Sequence, residues 1–264
     1  MESAGLDRAG DEPRNTWSSM IRQRGRTFWI LALSVLGWIF LAWIALDMGH
    51  PIAQLTMPPS SDWSGANVLA IASMWAIMMA AMMLPSALPM ILTFGDLSAR
   101  QGEPARSRSF LAAYILVWVV FSIAAVAAQW TLQRAGLVNP MIVSTSAPLS
   151  AVLLVIAGAY QFSPLKRICL ARCRTPLGFL LGEWRPGTYG GFVMGLRHGL
   201  FCLGCCWALM VLLFVGGVMN LPWIAALSIV VALEKLAPAG EKVARVLGLL
   251  LIGAGTMRLF TLAS

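Results

Sequence analysis

Long apolar runs separated by short polar breaks dominate this chain, and about 20 apolar residues are enough for a helix to cross a bilayer. Seven runs approach that length, at 27–46, 67–94, 110–132, 146–162, 191–219, 221–236 and 243–262. The sixth is the shortest. No stretch shows the strict alternation that marks a half-buried strand. The pattern therefore predicts an all-α fold, a polytopic transmembrane helix bundle of about seven spans. It forms one domain over 27–264, preceded by a basic leader at 1–26 that is expected to be disordered and cytoplasmic.

Composition agrees with this reading. Of the 264 residues, 59% are hydrophobic and 11% charged, against about 25% charged in soluble domains, and the mean hydropathy is +0.78. The net charge of +8 follows topology rather than a nucleic-acid partner. Arg14, Arg22, Arg24 and Arg26 precede the first run, and Arg100, Arg106 and Arg108 follow the second. Lys166, Arg167, Arg172, Arg174 and Arg185 follow the fourth, and Lys235, Lys242 and Arg245 surround the break after the sixth. The alternate breaks carry almost no Lys or Arg. By the positive-inside rule the N-terminus is expected to be cytoplasmic and the C-terminus exoplasmic. A multi-pass protein of the inner (plasma) membrane is the expectation. The first run lies behind an Arg-rich leader without a small-residue cleavage site, unlike a signal peptide.

The candidate chemistry is concentrated in His198-Gly-Leu-Phe-Cys202-Leu-Gly-Cys205-Cys206, inside the fifth run. On a helix, the spacing i, i+4, i+7, i+8 puts the imidazole and the thiols along one stripe. Three thiolates in a low-dielectric medium are costly without a cation, whereas neutral thiols, or thiolates sharing a metal, are acceptable. A packed neutral histidine among packing cysteines is the plain alternative.

The second run holds a methionine stripe that includes Met78, Met79, Met82, Met83 and Met90. Methionine usually fills gaps. Counting about 1.5 Å per residue from the cytoplasmic end, however, puts Met82 and Met83 roughly 17 Å in, level with Cys205 and Cys206 at roughly 16 Å. Soft thioether and soft thiolate at one depth suit copper(I) ahead of zinc. Pro85 and Pro89 interrupt this run and would free the carbonyls of Ala81 and Pro85.

The connection at 163–190 carries Cys169 and Cys173, four apart between Pro164 and Pro176. An interfacial helix is expected there, with both thiols on one face and its Lys and Arg reaching toward lipid phosphate. The neighbouring arginines would favour thiolates that receive or release an ion. All five cysteines fall between 169 and 206 on the cytoplasmic side, where stable disulfides do not form. Secondary candidates are Met210, Gln161 at the end of the fourth run, and Glu234, which with Lys235 suits a helix-end salt bridge. The loop at 50–65 gathers His50, Met57 and Asp62 beside Asp47, more in keeping with a polar loop than with a cation site.

Three strings together resemble an uncharacterised bacterial family of predicted metal-binding integral membrane proteins. They are W-A-I-M-M-A-A-M-M-L-P-S-A-L-P-M, A-G-A-Y-Q-F-S-P-L-K-R-I-C-L-A-R-C-R and G-L-R-H-G-L-F-C-L-G-C-C-W-A-L-M, followed by G-G-V-M-N and E-K. The resemblance covers about 65–245. It implies metal-related roles for Met82 and Met83, then Cys169 and Cys173, then His198, Cys202, Cys205, Cys206 and Met210.

The leading expectation is a membrane protein that binds copper(I), or alternatively zinc, and moves it across the membrane or delivers it to a partner. That partner would be a metallochaperone or a metalloenzyme under assembly. No ATPase, nucleophile-elbow or H-E-x-x-H motif points to an enzyme. Two alternatives stand beside it. A thiol oxidoreductase would relay electrons from Cys202 and Cys205 or Cys206 to Cys169 and Cys173, although vicinal Cys205 and Cys206 pair poorly with one another. A structural or assembly subunit of a larger membrane complex would not need the thiols at all. Oligomers are compatible with each.

Overall fold

The computed structural model describes residues 12–60 and 62–263. Its helices in chain order are α1 (Glu12–Leu46), α2 (Pro51–Thr56), α3 (Gly65–Arg100), α4 (Pro104–Arg134), α5 (Ala147–Tyr160) and α6 (Pro164–Arg174). They continue with α7 (Pro176–Glu183), α8 (Gly187–Val211), α9 (Leu213–Gly216), α10 (Leu221–Leu236) and α11 (Gly240–Ala263). Among the described residues there is no strand, only an isolated bridge between Val138 and Ser144.

Five stretches are long and apolar enough to cross a membrane: Gln23–Leu46, Gly65–Arg100, Pro104–Arg134, Gly187–Gly216 and Gly240–Thr261. A sixth arises if Ala147–Tyr160 and Pro164–Arg174 act as one span, bent by 63°. Length and composition therefore support five to six membrane-crossing stretches among the described residues. The expected fourth is a 14-residue helix followed by a sharp bend, because Ser163 and Pro164 start a new helix. The Ser163 hydroxyl accepts from the Lys166 amide at 3.0 Å, and proline occupies the first turn, where its missing N–H costs nothing. The expected sixth is the 16-residue α10.

The leader also departs from expectation. Residues 12–26 are helical and continuous with the first apolar run, because no proline interrupts the chain after Pro13 in the first turn. Residues 1–11 lie outside the described residues. Gln23 and Arg26 both reach Asp96 near the end of α3.

Packing rests on close helix approach at small residues. α4 lies along α8, α5 along α11, and α3 is flanked by α1 and α4. Gly191, Gly195 and Gly199 repeat every fourth residue on the α8 face that meets α4. A Cβ added at Gly191 would come within 2.8 Å of the Arg106 carbonyl, and at Gly195 it would strike the backbone at Phe110. Gly158 and Gly248 do the same for α5 and α11, each facing the other's carbonyl. This is the small-xxx-small solution to helix association in lipid, where contact area rather than water exclusion drives packing.

The outward faces are apolar. Leu36 on α1 is 61% exposed and Leu249 on α11 is 65% exposed, as lipid contact requires. Polar groups turn inward instead: Arg106, Gln129, Lys166, His198, Glu234 and Lys235 are all buried. α3 runs through both prolines without a break. The carbonyl that Pro85 frees at Ala81 accepts from the Ser34 hydroxyl of α1 at 2.7 Å, so the orphaned group is satisfied by a neighbouring helix.

Candidate metal centre

α8 buries His198, Cys202, Cys205 and Cys206 on one stripe. The Cys205 and Cys206 thiols both donate to the Cys202 carbonyl at 3.0 Å, the back-bonding that small polar side chains make within a helix. Four other helices bring groups to this stripe.

From α3 comes Met83, whose Sδ lies 4.0 Å from the Cys206 Sγ. Its carbonyl accepts from Ser86 at 2.9 Å, just past Pro85. α4 supplies Tyr114, with its hydroxyl 3.1 Å from the Cys202 Sγ. From α6 comes Cys173, which faces the thiols of Cys202 and Cys205. α10 supplies Lys235, whose Nζ donates to Cys202 Sγ at 3.0 Å and to Ser86 Oγ at 3.2 Å, and lies 3.8 Å from Met83 Sδ.

Cys169, one turn before Cys173, packs against α8 where Gly204 leaves room. A Cβ at Gly204 would lie 2.7 Å from the Cys169 Sγ. Both thiols of α6 thus turn into the bundle rather than lying on an interfacial face, and Lys166 turns with them. Lys166 does not reach toward lipid phosphate: it pairs with Glu234 at 2.6 Å, with both side chains 1% exposed. The salt bridge expected at Glu234 therefore exists, but in the interior and with a partner from α6, because α6 folds back onto α8 and α10.

The expected residues do not all converge. Met82, Met78, Met79, Met90 and Met210 are buried core residues, and Met83 is the methionine that the hydrogen-bonding geometry brings to the thiols. His198 shares the stripe, but its ring sits among Phe110, Tyr114 and Phe179, with centroids 5.9, 5.7 and 5.6 Å away. Its Nδ1 is buried without a hydrogen-bond partner. Gln161 is buried with both amide atoms unpartnered and lines a separate cavity with Lys166 and Arg167. In the 50–65 loop, the His50 Nδ1 accepts from the Ile52 amide at 3.2 Å and caps α2, an ordinary loop role.

The sequence reading gave Lys235 only a helix-end salt bridge and passed over Tyr114, and both meet Cys202. Lys235 carried a readable signal: with Ile224, Leu227 and Val231 it continues one buried stripe of α10. Tyr114 had none, because its helix is apolar on all sides.

Among the described residues no group of three or more His, Cys, Asp and Glu side chains is arranged to hold a metal ion. The donors instead meet pairwise, thiol with thiol and thiol with thioether. Such a soft set fits copper(I), which accepts low coordination numbers, better than structural zinc, which takes four ligands in a closed tetrahedron.

No curated protein and no solved structure matches the chain. A family model described as PpoB2, copper chaperone, matches residues 72–258, which include every sulfur of the cluster. With more than half of its length matched, the chain belongs to the PpoB2 copper chaperone family.

Proposed function

We propose that this protein binds copper(I) within a membrane-embedded helix bundle and delivers it to a copper-requiring partner. The observation that carries this reading is the convergence of soft sulfur from three helices: Met83 of α3, Cys173 of α6, and Cys202, Cys205 and Cys206 of α8. Cys169 and Cys173, both on α6, receive or release the ion, with Cys173 at the junction with the α8 thiols. Cys202, Cys205, Cys206 and Met83 hold it deeper in. No phosphate-binding loop is present in the sequence, and movement of the ion is passive or coupled to another gradient. The topology that goes with this reading has a cytoplasmic N-terminus and seven membrane passages, with α5 and α10 as short passages packed inside longer neighbours.

The test is elemental analysis of protein purified without chelators, beside a variant carrying Cys202→Ser, Cys205→Ser and Cys206→Ser. Stoichiometric copper in the native protein and its loss in the variant is the expected result. Equal metal content in both would remove the proposal.

One observation favours a second reading, the contact of Cys173 with the thiols of Cys202 and Cys205 across two helices. A redox relay would use that pair and would need no metal. Thiol counting under oxidant separates the two, because reversible loss of two thiols in metal-free protein belongs to the relay alone.

A further inference from the structure

Lys235 is a buried cation set directly against the sulfur cluster. Its Nζ contacts Cys202 Sγ, Ser86 Oγ and Met83 Sδ at 3.0, 3.2 and 3.8 Å. A buried ammonium ordinarily needs a carboxylate, and the adjacent Glu234 is committed to Lys166 at 2.6 Å. Among the described residues Lys235 makes no ion pair with a carboxylate. Of its contacts, Ser86 and Met83 bring no negative charge, and Cys202 brings one only as a thiolate, the form in which it would hold the ion. The positive charge of Lys235 therefore acts on whatever occupies the sulfur cluster, at close range and out of water.

We propose that Lys235 is a charge filter that makes the cluster select a monovalent soft cation over a divalent one. This rests on the copper reading above and goes beyond it by assigning the selectivity to one residue. A fixed positive charge repels a bound cation in proportion to the cation's own charge, so the penalty on a divalent ion is about twice that on a monovalent one. Thiolate attraction also scales with the ion's charge and so favours the divalent ion, and the lysine, with the opposite sign, offsets that preference. Soft sulfur donors bind zinc as well as copper(I), so the charge adds discrimination to the preference that the donor set already has for copper(I).

The experiment measures copper(I) and zinc(II) affinities by competition with chromogenic chelators, in the native protein and in Lys235→Leu, Lys235→Gln and Lys235→Arg. Leu removes the charge and brings no metal ligand, and Gln removes it while keeping a polar hydrogen-bonding end, so the inference does not depend on one variant folding. The copper-to-zinc affinity ratio is expected to fall at least about tenfold in Lys235→Leu and in Lys235→Gln, and to hold in Lys235→Arg. An unchanged ratio in the two charge-removing variants, with copper still bound by the native protein, overturns the filter and leaves the copper reading standing. Failure of the native protein to bind either ion overturns both.

Discussion

The Lys166–Glu234 pair shows how one residue can reorganise a helix. Two opposite charges 2.6 Å apart and almost fully buried are costly to desolvate, and leaving one of them alone is costlier. Breaking such a pair from one side typically destabilises by about 3–5 kcal/mol, whereas replacing both partners by apolar residues is often neutral. We therefore expect Lys166→Met to lose about 3–5 kcal/mol in denaturation of the detergent-solubilised protein, and the Lys166→Met, Glu234→Leu double variant to recover most of it. An additive loss in the double variant would mean that the two residues act separately. Lys166 matters because it draws α6 inward, and Cys169 and Cys173 follow on the same face. His198 is the contrasting case. Its position on the thiol stripe was legible from spacing alone. The aromatic walls of Phe110 and Tyr114 from α4 and Phe179 from α7 come from two other stretches of chain and could not be read from that spacing.

The helices themselves were largely legible, since each apolar run corresponds to at least one helix. Their ends and bends were less so. Hydropathy ended the fourth run at 162, close to the end of α5, but it carries no angle and so gave no sign of the 63° bend that follows. The signal for that bend was Ser163-Pro164, a helix start immediately after the run. Depth counting along α3 and α8 brought the Met82 and Met83 level to that of Cys205 and Cys206, but rotation about the helix axis decides which methionine meets the thiols. That rotation depends on the glycine face of α8. Gly195 meets the α4 backbone at Phe110 with no room for a side chain, so Gly195→Val is expected to cost about 3 kcal/mol or more and to push α8 away from α4. Circular dichroism melting and copper stoichiometry, measured together, should fall in parallel. A melting temperature like that of the native protein would show that the α4–α8 contact is not the constraint that places the thiols.

For the whole molecule, the polar interior and apolar exterior agree with a membrane setting, and the alternation of basic and neutral breaks was visible in the sequence without any structure. Helix length and composition alone support five to six passages, because α5 and α10, at 14 and 16 residues, are each shorter than a bilayer-spanning helix. The proposed seven-passage arrangement puts the two termini on opposite sides. Reporter fusions at the C-terminus are accordingly expected to be active when the reporter requires an exoplasmic setting, and inactive when it requires a cytoplasmic one. The reverse pattern would reduce the passages to an even number.

The separation of Lys166 and Glu234 by 68 positions also sets an order of events during synthesis. At about 5–20 residues per second, several seconds pass between the appearance of the lysine and that of its carboxylate. During that interval α6 carries an uncompensated charge that hydrocarbon would reject. The bend after α5 lets the segment wait in the headgroup region with its amine hydrated. Only when α10 has been made can Lys166 find its carboxylate and α6 fold inward, so the sulfur cluster closes late in synthesis, as a consequence of chain order.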